Sequence, residues 1–116
     1  MNIKNYTQVI GRIGNDLEMK SFDNDTSFLN FTLAVDDSFF SKTEDKKIER
    51  VVWLNCVAKG KIAEHIFKYY AKGYQIAIQG KLSTRNYEDK EGKVIYITEI
   101  EVETADITLR VIPNKN

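Results

Sequence analysis

Two kinds of side chain in this sequence are set out as if to meet a ligand: aromatic rings at Trp53 and Tyr87, and cations at Lys59, Lys81 and Arg85, with Phe39 and Phe40 earlier in the chain. A ring offers a face for stacking, and a guanidinium or ammonium offers charge-assisted hydrogen bonds to a phosphate or carboxylate. Groups that could do covalent or acid–base chemistry are scarcer. His65 is the only histidine and Cys56 the only cysteine, so neither a zinc-ligand cluster nor an internal disulfide can be assembled from them. The glycines are scattered singly, with no phosphate-cradling loop and no nucleophile elbow. The carboxylate pairs Asp36-Asp37 and Glu44-Asp45 lie in a charged stretch with nothing to mark them for proton transfer. These features argue for a binding protein rather than an enzyme.

The elements that must hold the rings and cations centre on residues 51–87. An apolar strand, VVWLNCV, gives way to a helical segment, KIAEHIFKYY, and then to a second strand, QIAIQGKLSTRNY. In the helix Ile62, Ala63, Ile66, Phe67 and Tyr70 form one buried stripe, opposite Lys61, Glu64, His65, Lys68 and Lys72. Gly73 marks the helix stop, and the start at Lys59-Gly60 has no side-chain cap. Alternation in the first strand turns Val52, Leu54, Cys56 and Ala58 inward and Trp53, Asn55, Val57 and Lys59 outward. A lone tryptophan in an apolar strand commonly serves the core, but alternation assigns Trp53 to the outer face. In the second strand Ile76, Ile78 and Leu82 turn inward, leaving Lys81, Ser83, Arg85 and Tyr87 outside.

Earlier in the chain, residues 6–13 form a strand in which Gly11 signals a bulge or close backbone approach, as where a sheet curls. A short piece, LEMKSF, leads to a turn at Asp23-Asn24-Asp25. Residues 27–35 alternate cleanly, with Leu29, Phe31, Leu33 and Val35 opposite Phe28, Asn30, Thr32 and Ala34. Residues 36–47 read as a long polar loop carrying Phe39 and Phe40, of which burial would account for one more easily than both. After a hairpin-type loop at 88–93, with Gly92 left-handed, residues 94–109 form a long strand. Its Glu99, Glu101 and Glu103 read as a solvated acidic face that phosphates should avoid.

Three strands, one helix and two further strands describe an all-β domain with one helix: a five-stranded OB-fold barrel with the helix between strands 3 and 4. The 116 residues make one domain, 1–116, with 42% hydrophobic and 29% charged residues. No signal-peptide pattern or membrane-length apolar run is present, which points to the cytoplasm. The 17 basic and 17 acidic residues cancel, so any polyanion site must be a local patch. Rings interleaved with cations suit single-stranded nucleic acid, which exposes base faces and a phosphate chain together.

Collinear segments carry a family likeness: VIGRIGNDLE, FLNFTLAV, WLNCVAKGKIAEHIFKYYAKGYQIAIQGKLSTRNY and the closing YITEIEV. Over nearly its whole length the chain resembles the bacterial-type single-stranded DNA-binding proteins, OB-fold proteins of replication, recombination and repair. The resemblance implies stacking roles for Trp53, Tyr87 and Phe39, basic contacts at Arg85 and Lys61, no cofactor, and a homotetramer, with a dimer as the alternative. Lys59 stands where the family often has a stacking phenylalanine. The residues themselves add Lys81, Asn55 and Lys59 to the expected DNA-binding set. Family members usually continue into a Gly/Pro/Gln-rich segment with an acidic tip, whereas this chain ends Pro113-Asn114-Lys115-Asn116. That resembles compact forms carried by phages or plasmids, and implies that replication or recombination proteins are not recruited through such a tail. A primosomal-type replication protein, or an OB module binding oligosaccharide or protein, is the alternative reading.

Overall fold

The computed structural model describes residues 4–21 and 26–111, with side chains described as far as residue 105. In chain order the elements are β1 (Thr7–Ile13), β2 (Lys20–Ser21), β3 (Ser27–Asp36), β4 (Phe39–Ser41), β5 (Lys46–Ile48), β6 (Val51–Lys59), α1 (Lys61–Tyr69), β7 (Gln75–Glu88) and β8 (Val94–Val111). The main sheet runs β1-β7-β8-β6-β3-β2, and a further β1–β3 pairing closes five of these strands into a ring. The expected OB barrel is therefore the fold observed.

Closure depends on β1, which serves two partners. Its residues Thr7 to Arg12 pair with β7, while Arg12 and Ile13 also pair with Ala34 and Leu33 of β3. Gly11 lies at this changeover, where a Cβ would come within 2.9 Å of the Ala34 carbonyl oxygen. A side chain there would hold the two strands apart. The ring is completed on the other side by a two-residue parallel seam between β6 and β8, Cys56 with Ile100 and Val57 with Glu101.

Inside the ring, Ile13, Leu29, Leu33, Ile66, Ile76 and Ile78 are essentially inaccessible to water, joined by Phe31, Cys56, Ala58, Ala63, Tyr70, Ile100 and Val102. Burying each large aliphatic side chain contributes about 1.5–3 kcal/mol. Burial also pushes the Cys56 thiol up to about 12, with the Glu99 carboxylate adding to the effect, so this cysteine behaves as a small hydrophobe. Leu54 and Val35 pack at the margin of the core as alternation requires.

Helix α1 plugs one end. Gly60, at φ 63°, reverses the chain immediately after β6, and its amide donates to the Ser27 carbonyl at 2.8 Å, tethering the helix start to β3. No side chain caps this end, as expected. Ala63, Ile66 and Tyr70 are buried and Ile62 packs against them, but Phe67 is 47% exposed and leaves the stripe. The helix is only nine residues long, and its buried face is too narrow to take a second aromatic ring. Gly73 does adopt a left-handed conformation, φ 89°, yet it does not end the helix. The chain is already extended at Tyr70, and Gly73 instead donates to the Ile13 carbonyl in the turn leading to β7.

Three further expectations change, the first being Val52, which is 37% exposed rather than inward. Residues 36–47 are not an irregular loop: β4 and β5 pair as a small separate hairpin, Phe39 with Ile48 and Ser41 with Lys46, and both Phe39 and Phe40 are exposed. Leu82 is 52% exposed rather than inward. Its partner Ile100 is buried, but Leu82 lies past the end of the packed core, where Asn5 bonds the Leu82 backbone through both its amide nitrogen and its amide oxygen. The left-handed Gly92 is found as expected, φ 80°. The turn at 23–25 lies outside the described residues.

At Gly80 the backbones of β7 and β8 leave a Cβ less room than it would have at Gly11 or Gly14. A Cβ there would fall 2.0 Å from the Glu101 carbonyl oxygen, beside an irregularity in the β7–β8 register between Gln79 and Gly80. Backbone cannot retreat as a flexible side chain can. Gly80→Ala should therefore destabilise the domain by about 1–3 kcal/mol, the usual cost of overpacking, read as a lowered midpoint in urea unfolding.

Candidate nucleic-acid interface

Away from the short parallel seam, β6 and β8 part company. Residues 51–55 of β6 stay paired with β3, and residues 94–99 of β8 stay paired with β7. Two ribbons therefore diverge from the seam, and a furrow opens between them. Strand register decides what lines it. Across β3 and β6, the outward partners are Phe28 with Lys59, Asn30 with Val57, Thr32 with Asn55 and Ala34 with Trp53. Across β7 and β8 they are Lys81 with Glu101, Ser83 with Glu99, Arg85 with Ile97 and Tyr87 with Ile95.

The furrow holds two clefts. One, of about 280 Å³, is lined by Asn15, Asn30, Thr32, Asn55, Arg85 and Glu99 over a floor that includes Phe31, Cys56 and Ile97. The other, of about 430 Å³, is lined by Phe28, Asn30, Val57, Lys59, Ser83, Arg85, Glu99 and Glu101. Arg85, Glu99 and Asn30 belong to both, so the Arg85–Glu99 pair sits at their junction. Arg85 donates through Nε to Glu99 Oε1 at 2.9 Å, a bond that leaves the terminal nitrogens of a guanidinium for another acceptor. Asn15 is fixed in turn: its Oδ1 accepts from the Thr32 amide at 2.8 Å.

Trp53 is 62% exposed on the β6 ribbon, as alternation requires. The ring rests over Gly14, where a Cβ would fall 2.5 Å from Trp53 Cζ3 and 2.8 Å from the Thr32 hydroxyl oxygen. The absence of a side chain at Gly14 makes room for the six-membered ring of the indole, most of which is left to solvent. Tyr87 is exposed on the β7 ribbon, on the face that carries Arg85. Phe39 stands on the separate hairpin, with the Arg50 guanidinium 5.2 Å from its ring centroid and Arg50 also paired to Asp37 at 2.6 Å. That exposed pair adds little stability but holds the hairpin root in one arrangement.

Of the residues singled out from sequence, Asn55, Lys59 and Arg85 line the clefts, and Trp53 shares their outward face of β6. Lys81 joins through Glu101, its Nζ 3.8 Å from Oε2. Lys61 does not join: it is the first residue of α1 and lines neither cleft. The reading of a solvated acidic face holds for Glu103, which is exposed, but is overturned for Glu99 and Glu101. Glu99 is buried to 9% exposure, and Glu99 and Glu101 lie in the furrow beside the cations, because antiparallel register sets their row directly against that of Lys81 and Ser83. Asn15, Asn30, Phe28 and Arg50 were not singled out. Alternation already had Phe28 and Asn30 facing outward; the register that brings them to Lys59 and Val57 is a tertiary fact.

Residues 4–108 match the single-strand binding protein family. The chain is 37% identical over 100 residues to a single-stranded DNA-binding protein of Bacteroides thetaiotaomicron, covering 85% of this chain and 62% of that one. It is 35% identical over 103 residues to single-stranded DNA-binding protein 1 of Streptococcus pyogenes, covering 89% of this chain and 77% of that one. It thus spans somewhat under two thirds of the first relative's length and about three quarters of the second's. Among solved structures, a Plasmodium falciparum SSB in complex with ssDNA superimposes with a TM-score of 0.76 at 26% identity, over 88% of this chain and 90% of that one. With nearly the whole chain inside the family match and its barrel shared with a solved SSB, this protein belongs to the single-strand binding protein family.

Proposed function

We propose that this chain binds single-stranded DNA without reading its sequence, holding the strand open by stacking bases on aromatic faces and pairing phosphates with cations. It is a binding module, not an enzyme, and residues 1–116 act as one binding domain. The observation that carries the reading is the furrow and its flanks: clefts lined by Asn55, Arg85 and Lys59, with the exposed Trp53 on the same outward face of β6 and the exposed Tyr87 on the same face of β7 as Arg85. The names of the relatives point the same way. Trp53, Tyr87 and Phe39 serve as stacking platforms, Arg85, Lys59 and Lys81 as phosphate partners, and Asn55 as a hydrogen-bonding group on the furrow wall. The protein protects exposed strands during replication, recombination and repair in the cytoplasm. It works as a homo-oligomer, a tetramer by analogy with the family.

A stacking surface accepts any unstacked base, whereas a duplex keeps its bases out of reach. Oligo-dT should bind much more tightly than a duplex of the same length at the same salt, and equal affinities would contradict the proposal. Trp53→Ala and Tyr87→Ala should each weaken oligo-dT binding by about 1–3 kcal/mol while the thermal transition stays cooperative. A Trp53→Ala protein that loses cooperative unfolding would make the indole a core residue instead.

Lys59 allows a separate test. A lysine on the furrow wall can contact a phosphate and displace bound counterions, while a phenylalanine there can only stack. Lys59→Phe should lower the magnitude of the log–log salt slope on oligo-dT by about 0.7 and leave affinity at high salt equal or better. An unchanged slope between low and moderate salt would remove Lys59 from the contact set.

A further inference from the structure

The furrow carries its own anions. Arg85 and Lys81, two of its basic residues, are each already paired: Arg85 with Glu99 at 2.9 Å, and Lys81 with Glu101 at 3.8 Å. The two pairs differ in kind. Glu99 has a side chain only 10% exposed, so a phosphate that drew Arg85 away would strand a buried carboxylate without a partner, which is strongly unfavourable. Lys81 and Glu101 are both substantially exposed and loosely spaced, so their pairing can exchange. In neither case does a phosphate meet an uncompensated cation. It must share Arg85 with Glu99, or take Lys81 from Glu101 and leave that carboxylate to recruit a cation from solution. The net release of counterions per phosphate contact is reduced either way.

We propose that Glu99 and Glu101 are selectivity-determining residues, acting as internal counterions that cancel the electrostatic attraction of Arg85 and Lys81 for phosphate chains in general. This rests on the single-strand reading above and adds a reason for the discrimination. A duplex depends on its phosphates for sequence-independent binding and carries about one charge per 1.7 Å of axis, so cancelling a cation removes much of what would hold it. A single strand loses the same contact but retains stacking on Trp53 and Tyr87, which internal anions do not weaken. The carboxylates thereby make stacking the deciding interaction.

The test measures binding of the full chain to oligo-dT and to a duplex of equal length across a tenfold range of salt. Glu101→Gln, Glu99→Gln and the control Glu64→Gln on α1 are compared with the unsubstituted protein. Each furrow substitution should steepen the log–log slope by about 0.7 on oligo-dT and about 0.9 on the duplex. From high to low salt, those slopes amount to relative gains of about fivefold for oligo-dT and about eightfold for the duplex. Selectivity for the single strand therefore falls, while Glu64→Gln changes neither slope. An unchanged slope in Glu101→Gln overturns the proposal, and so does an equal steepening in Glu64→Gln, which would reduce the effect to net charge. Because Glu99 is buried, its variant counts only where it folds, and Glu101→Gln decides the matter alone. Failure of the unsubstituted protein to bind oligo-dT at any salt would instead remove the single-strand reading on which the proposal rests.

Discussion

Everything at the furrow depends on how short the parallel seam between β6 and β8 is. Two residue pairs, Cys56 with Ile100 and Val57 with Glu101, complete the ring, and beyond them the strands separate. A longer seam would flatten the ribbons into one continuous wall; without the seam the barrel would stand open along one side. Its shortness leaves each of the two strands paired with its antiparallel neighbour alone, and those two ribbons become the sides of a trough. The core beneath is secured by the close approach at Gly11 and by α1 at the barrel end, so the furrow is built on rigid elements rather than on loops. Contact groups held this way lose little freedom when a ligand arrives.

Stacking and charge are arranged differently within the trough. The six-membered ring of Trp53 packs close to Gly14, whose missing side chain makes room for it, while most of the residue stays exposed to solvent. Arg85 and Lys81 are instead restrained by carboxylates, and Asp37 restrains Arg50 on the hairpin beside Phe39 in the same way. A chain with 17 basic and 17 acidic residues has thus distributed its charge locally rather than forming a uniformly positive surface. Such a surface favours ligands that offer something besides phosphate.

Period-2 alternation was enough to place Trp53, Asn55, Lys59, Arg85 and Tyr87 on outward faces and to locate nearly all of the core, because a one-residue slip would invert every side chain of a half-buried strand. It could not supply register between strands distant in sequence. That is why Glu99 and Glu101 looked like a separate solvated face: only the pairing of Lys81 with Glu101 and Ser83 with Glu99 brings them into the furrow. Leu82 and Phe67 failed for a related reason. Their periodicity is correct, but the packed core ends before it reaches them. The β4–β5 hairpin was hidden by short strands of mixed polarity, whose pairing has no hydrophobic face to announce it. The family resemblance implies a stacking role for Phe39 where pattern alone showed only a long polar loop.

The central claim is that bases stack on the exposed face of Trp53, and the chain has only one tryptophan to report on it. Titrating the protein with oligo-dT while following intrinsic tryptophan fluorescence therefore tests the claim directly. The account predicts a strong, saturable quenching, since an unstacked base laid against the free face of the indole must change its emission. Saturable binding of oligo-dT, registered by an independent method, with the tryptophan emission unchanged would contradict it.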